Sequence, residues 1–306
     1  MVAKPRTPKS ASKSTSNIVI PVMGATGSGK SYFINKLLEA TRTSERVKVG
    51  LELASCTAEL RPITIKGLTS GYSSLEERDV TIVDTPGFDD SVTSDFETIK
   101  RIATWLKKSF ERGSVLGGVI YVHDISQDRF TGAARRNLDM FNHLCGQPCL
   151  KKVVILTTKW NRAGPRNLEE LEADLRDKHW AAMIGKGAQT LRFDANENLQ
   201  CKSALGVVDA LLSGVAGTSG QELLEEVLQI QDELVNRKMS LKETKIAEAL
   251  RTELEEIIEA ETTKKGVTDE ARLARARAQV KELWSFLARG VSTAFQIIPF
   301  LTPLSI

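Results

Sequence analysis

"VMGATGSGKSYF", residues 22–33, sets six glycine, lysine or serine residues within Gly24–Ser31 between an apolar run and a run with helical spacing. Gly24, Gly29, Lys30 and Ser31 fit G-x4-G-K-[ST], the strand-to-helix pattern that cradles a phosphate chain. Glycines let the main chain curl so that successive N–H groups face inward, and the helix start adds its positive end. The expected ligand contacts run from Gly24, Ala25, Thr26, Gly27, Ser28 and Gly29 through Lys30, Ser31 and Tyr32. Lys30 would reach the β and γ phosphates, and Ser31 would hold Mg²⁺ through its hydroxyl. This motif alone does not separate a kinase, an ATPase and a GTPase.

Outward from that loop, strands and helices alternate for about 195 residues. Short β-branched runs at 17–23, 79–85, 116–125, 151–158 and 189–194 read as buried strands. Residues 58–65 alternate, with Pro62 marking an edge strand. Helices are expected at 31–40, 94–113 (capped by Ser94 or Asp95, stopped by Gly113), 131–146, 167–183 and 203–213. The expected fold is α/β: a P-loop NTPase three-layer sandwich, or G domain, with a parallel sheet covered on both faces and a C-terminal helical extension.

The rest of the chain divides by composition. Residues 1–16 carry Lys4, Arg6, Lys9 and Lys13 with no acid and many Ser and Pro, and read as a disordered basic arm without the apolar stretch of a signal peptide. The G domain is placed at 17–213 and a Gly/Ser linker at 214–220. Residues 221–290 read as a helical hairpin. Leu223, Val227, Ile230 and Leu234 fit one seam and Leu250, Leu254 and Ile257 another. Arg237 and Thr244 break the register, so no sustained coiled coil follows. The hairpin turn falls at 264–270, with Thr268 as the second cap. The 291–306 tail is apolar but interrupted by Pro299 and Pro303, poor material for a spanning helix. It suits intramolecular packing, a membrane surface or a protein partner.

The 306 residues carry a net charge of only +3, which makes no bulk electrostatic case for nucleic acid. The four cysteines, Cys56, Cys145, Cys149 and Cys201, lack zinc-ribbon spacing and read as reduced thiols of a cytoplasmic protein, peripheral to a membrane if the tail binds one.

A second element narrows the chemistry. "VTIVDTPGFDD" (80–90) ends a strand on Asp84, placed to hold the Mg²⁺ shell, and Gly87 offers an unhindered N–H toward a γ-phosphate. Asp-Thr-Pro-Gly at this separation from the loop favours a GTPase. Between the two, "ELASCTAEL" (52–60) offers Thr57, with Ser55 as rival, to close on metal and γ-phosphate. "TTKWN" (157–161) ends a strand with Thr158, Lys159 and Asn161 where a GTPase carries Asn/Thr-Lys-x-Asp. An amide has one acceptor and one donor where a carboxylate has two acceptors, so guanine preference should weaken, with poor discrimination against inosine and xanthosine nucleotides. The remaining base contact falls on Asn196 or on Ser203–Ala204. Phe88 occupies the position of a water-orienting glutamine, so unaided hydrolysis should be slow. Arg129 is the residue to offer across a dimer.

"GATGSGKS", "DTPGFDD" and "YVHDISQDRFTGAARRNLDMFNHLCG" (121–146) together resemble the septin-like GTPases of the immunity-associated nucleotide-binding (GIMAP) type, relatives of the chloroplast import-receptor GTPases. The likeness is greatest to the fungal proteins of that type. It implies GTP/GDP and Mg²⁺ as ligands, homodimerisation through the nucleotide face, a helical extension with membrane-associated or scaffolding roles, and tight binding with poor hydrolysis. The expected function is a GTP-binding switch or assembly module with slow, dimer-assisted hydrolysis. The alternatives are a nucleotide-bound scaffold without turnover, and an ATPase or kinase built on the same loop.

Overall fold

The structure, a computed structural model, describes residues 17–48, 60–75, 78–88, 94–127, 130–162, 167–194, 201–218, 227–263 and 269–288. Among these residues seven strands form one sheet: β1 (Ile18–Gly24), β2 (Arg61–Ile65), β3 (Val80–Asp84), β4 (Val115–Leu116), β5 (Val119–Asp124), β6 (Val153–Thr158) and β7 (Gln189–Arg192). Their order is β2-β3-β1-β5-β6-β7, with β4 beside the start of β1. The helices are α1 (Lys30–Ala40), α2 (Asp95–Glu111), α3 (Gly132–Cys145), α4 (Leu168–Lys178), α5 (Ala181–Ile184), α6 (Ala204–Ala216), α7 (Lys245–Thr263) and α8 (Glu270–Ala288).

The side-chain period of two builds three layers from these elements. Ile18, Ile20 and Val22 of β1, Ile120 and Val122 of β5, and Val154 and Leu156 of β6 pack with Phe33, Leu37 and Leu38 of α1 and Val207, Val208 and Leu211 of α6. Met23, Val119, Tyr121, Val153 and Ile155 face the other way, against Ile99 and Leu106 of α2 and Leu138 and Phe141 of α3. A strand buried on both sides reads as an unbroken apolar run, which is how β1 and β6 appear in the sequence.

One expectation fails. The sheet is mixed, because β2 runs antiparallel to β3, with Pro62 opposite Val83. Among its described residues the connection between them holds only a one-turn 3-10 helix, Ser73–Leu75. A single turn does not cover a sheet face as a crossover helix does, and the chain turns back along the sheet edge. Pro62 does lie on an edge strand. Two helix starts follow the sequence signals closely: Ser94 caps α2 through Glu97 N–H (3.2 Å), and Thr131 caps α3 through Ala134 N–H (3.1 Å). The single helix expected at 167–183 instead breaks at His179–Trp180 into α4 and α5. The helix expected to close at 213 continues to Ala216.

The extension lies on the α2/α3 face. Leu228, Ile230, Leu234, Ile246, Leu250, Leu254 and Leu283 join the same apolar cluster as α2 and α3. Polar contacts pin it: Arg136 pairs with Glu253 (2.7 Å), Gln231 Nε2 donates to Leu106 O (3.2 Å), and Ser94 Oγ meets Glu282 Oε2 at 2.8 Å. Its first half is no continuous helix. One helical turn, Gln229–Gln231, passes into a π-turn, Asp232–Asn236, and then breaks. Lys238 takes a left-handed φ of 54°, and Ser240 and Glu243 cap each other to start the next turn. Leu223 and Thr268 lie outside the described residues; Asp269 caps α8, accepting from Arg272 N–H at 2.9 Å.

Candidate functional site

The phosphate loop sits at the C-terminal end of the central strand. Gly24 closes β1 at φ 139°, and a side-chain carbon there would lie 2.3 Å from Val122 O of β5. No other residue fits both that angle and that space. Gly27 (φ 76°) and Gly29 (φ 102°) supply two further left-handed positions, the second serving as the residue before α1. The result is a curled main chain that opens directly into a helix N-terminus. Thr26 Oγ1 and Ser28 Oγ are buried in this loop without a hydrogen-bond partner among the described residues. Buried polar atoms of that kind fit a loop shaped around a polar ligand.

Lys30 opens α1 and is almost fully buried. Its ammonium donates to Gly24 O (3.0 Å) and Ala25 O (2.8 Å), so its charge lies over the curl of the loop. One residue on, Ser31 Oγ donates to Asp84 Oδ2 at 3.0 Å. Asp84 ends β3, opposite Val22 in register, and is fully buried. Two motifs 53 residues apart thus meet on hard oxygen atoms, the donor type that Mg²⁺ takes alongside phosphate oxygens.

The segment after Asp84 is stitched to the loop. Thr85 Oγ1 donates to Val22 O (2.8 Å), Thr26 N–H to Phe88 O (3.1 Å) and Phe88 N–H to Gly24 O (3.4 Å). Gly87 lies so close that an added side-chain carbon would meet Thr26 Oγ1 at 2.3 Å and Thr26 N at 2.6 Å. The Phe88 ring is wholly buried in the α2/α3-side core, so it packs rather than faces the loop.

A third group comes from β6. Thr158 Oγ1 meets Ser28 O at 2.7 Å, fastening this strand to the phosphate loop. Lys159 takes a left-handed φ of 64°, and its ammonium pairs with Asp124 Oδ2 at 2.5 Å. Asn161 lies exposed in the 3-10 turn Trp160–Arg162. Tyr32, 45% exposed, is in the first turn of α1, its ring 6.2 Å from that of Phe193. Ser203 caps α6 by accepting from Gly206 N–H (3.1 Å), and Ala204 is its first helical residue. Thr57, Ser55, Arg129 and Asn196 lie outside the described residues.

Asp124 was missed in the sequence reading. It pairs with Thr158 in register at the end of β5, and a strand closing on an acid beside the base-reading strand was the available signal. Trp160 and its partner Arg192 were missed as well, and no local pattern marks them. His123, beside Asp124, packs edge-on to Trp180 with ring centroids 5.3 Å apart, and burial pushes its pKa down to about 4. A separate cavity of ≈ 980 Å³ opens at the foot of α3 against the extension, lined by Cys149, Met183 and Val227 among others; no phosphate-loop residue lines it.

A model of the AIG1 family matches residues 17–186. No curated protein matches the chain. Among solved structures, Toc33 from Arabidopsis thaliana in complex with Mg²⁺ and GMPPNP is 12% identical with a TM-score of 0.49, the alignment covering 67% of this chain and 87% of that one. Toc33 in complex with GDP and Mg²⁺ is 12% identical with a TM-score of 0.47, covering 66% and 84%. A structure reported with the finding that dimerization is important for the GTPase activity of the chloroplast translocon components atToc33 and psToc159 is 11% identical with a TM-score of 0.49, covering 67% and 85%. Likeness at that level carries no argument about this chain. The family match is of another kind: it spans more than half the sequence, from the phosphate-loop strand through α5, and on that match the chain belongs to the AIG1 family.

Proposed function

We propose that this chain binds a Mg²⁺-nucleoside triphosphate, GTP in the first instance, hydrolyses it slowly, and passes between triphosphate and diphosphate states as a switch or assembly module. The observation that carries the reading is the meeting of Ser31 Oγ with Asp84 Oδ2 at 3.0 Å beside a left-handed glycine loop. In this reading the N–H groups of residues 24–32 and Lys30 hold the phosphates. Ser31 and Asp84, with Thr57, would hold the metal, whose charge would offset that of the phosphate oxygens. Thr158, Lys159 and Asn161 contact the base, together with Asn196 or the start of α6.

Slow turnover rests on Phe88. Its ring is buried in the core, so this position brings no polar side chain to orient water. Stabilisation of the transferred phosphoryl group is then assigned to Arg129 of a second copy, across a homodimer formed on the nucleotide face. The finer likeness to GIMAP-type and fungal proteins fits this picture of strong binding and weak hydrolysis. In this reading the extension packs on the G domain, and the apolar tail, residues 291–306, is assigned to a membrane surface or a protein. No helix among the described residues is long and apolar enough to cross a membrane.

Single-turnover GTP hydrolysis measured against protein concentration tests the proposal. A rate constant that rises with concentration supports it. No turnover at any concentration supports the second reading, a nucleotide-bound scaffold, which the buried Phe88 also suits.

A further inference from the structure

The turn that carries Asn161 is held far more firmly than a surface turn requires. The three residues before Asn161 are committed elsewhere. Thr158 fastens to the phosphate loop, Lys159 to Asp124, and the Trp160 indole N–H donates to Thr157 Oγ1 at 3.1 Å. One face of the Trp160 ring is covered by the Arg192 guanidinium, 4.4 Å from the ring centre. Arg192 ends β7, opposite Thr157 in register. Its Nη2 and Nε reach Glu172 Oε2 of α4 at 2.6 and 2.8 Å, and its Nη1 reaches Glu169 at 3.2 Å. Glu172 is only 4% exposed, and its other oxygen accepts from Thr157 Oγ1 at 3.1 Å. The contacts close a circuit, Thr157 to Glu172 to Arg192 to Trp160 and back to Thr157, drawing on four separate elements.

Burying a carboxylate in such a circuit is costly, and apolar residues of similar volume hold a turn at less expense. A planar, doubly bound guanidinium stacked on an indole gives something packing does not: a fixed orientation. What it fixes is the short turn on which Asn161 stands. An asparagine amide offers one acceptor and one donor. Set against positions 1 and 2 of a purine, it pairs fully with xanthine, which presents N1–H and a C2 carbonyl. Guanine presents two donors there, hypoxanthine one donor and a C–H, and adenine one acceptor and a C–H. Each of these three leaves one amide group unmatched.

We propose that Arg192 is a specificity-positioning residue: stacked on Trp160, it holds Asn161 rigidly to the base, and the site so built selects a xanthine nucleotide over a guanine one. The inference rests on the nucleotide reading above and puts xanthine ahead of guanine as the preferred base of that site.

The test is a table of dissociation constants for the Mg²⁺ complexes of XTP, GTP, ITP and ATP, taken by titration calorimetry. Wild-type protein, Arg192→Lys, Trp160→Phe and Asn161→Asp are compared, with melting temperatures recorded. A correctly held two-bond contact discriminates by about 5- to 150-fold, so wild type is expected to bind XTP that much more tightly than GTP. Arg192→Lys keeps a positive charge for Glu172 but loses the planar fork, and should bring the XTP-to-GTP ratio close to one. Trp160→Phe keeps a ring but loses the indole N–H, and should lower the ratio in the same direction should the first variant fold poorly. Asn161→Asp should reverse the order. A wild-type ratio near one, or a ratio unchanged in both folded circuit variants, overturns the inference while leaving the phosphate site intact. Absence of binding to all four nucleotides sinks the nucleotide reading itself.

Discussion

Replacing Gly87 with alanine separates two opposite expectations by sign. Gly87 lies outside the left-handed region, so its backbone alone would accept alanine. At such a site the change ordinarily stabilises by about 0.4–1 kcal/mol, through the lost freedom of the unfolded chain. Here the added carbon would lie 2.6 Å from Thr26 N and 2.7 Å from Thr26 Cα, both main-chain atoms that cannot rotate away. The segment must therefore move off the phosphate loop, stretching the Thr26 N–H to Phe88 O and Phe88 N–H to Gly24 O bonds, now 3.1 and 3.4 Å. Overpacking costs about 1–3 kcal/mol and two weakened backbone bonds about 1–3 more, giving a net loss of roughly 1–5 kcal/mol. At about 2–4 °C per kcal/mol for a domain of this size, a loss near 3 kcal/mol lowers the melting temperature by roughly 6–12 °C. Thermal unfolding of ligand-free protein, followed by circular dichroism, reads this directly. An unchanged or raised melting temperature would refute the packing of Gly87 on Thr26, and with it the joining of the two phosphate-site segments.

Two further outcomes follow from single side chains. Asn161→Asp restores two acceptors toward guanine and should tighten GTP binding by about 10- to 150-fold, as expected for a regained charge-assisted bond of about 1.5–3 kcal/mol; equal GTP affinities in calorimetry would remove Asn161 from the base site. His123 has a native pKa near 4 because it is buried, with Asp124 opposing and His179 adding to the shift, against 6.5 for the ordinary group. The unfolded chain therefore binds the extra proton between those values. Its stabilising effect is complete above about pH 6.5 and is lost as pH falls toward 4, about 2–3 kcal/mol in all. Urea unfolding at pH 7 and pH 4.5 should show this loss shrinking in His123→Phe; an identical pH profile in the variant would disprove it.

The features legible in the sequence were those set by local rules. Left-handed glycines at 24, 27 and 29, a Ser94 cap and unbroken apolar strands are short-range requirements, and each appears where its spacing placed it. The same holds for Ser31 and Asp84, whose strand and helix positions follow from motif context and bring them into contact. What escaped was long-range. The antiparallel β2 goes with a connection to β3 that holds no crossover helix among its described residues, which an alternating strand-helix reading passes over. The break at 236–244 was legible only in part: Arg237 and Thr244 interrupt the apolar seam there, but nothing in a Glu- and Leu-rich run announces the positive φ of Lys238. Phe88 read as a missing catalytic group; its burial against the α2/α3 face shows a second, structural reason for an aromatic residue there. The Arg192–Glu172–Thr157 circuit joins residues 15–35 positions apart across three elements, and no periodicity encodes it.

The most direct measurement is calorimetric titration of GTP into the wild-type protein and into Ser31→Ala, with Mg²⁺ present and with it chelated. If Ser31 and Asp84 grip the metal of a bound triphosphate, wild-type protein binds GTP with Mg²⁺ and loses affinity steeply on chelation, while Ser31→Ala binds more weakly and responds little to the metal. Equal wild-type binding in both conditions, or no binding in either, would contradict the account.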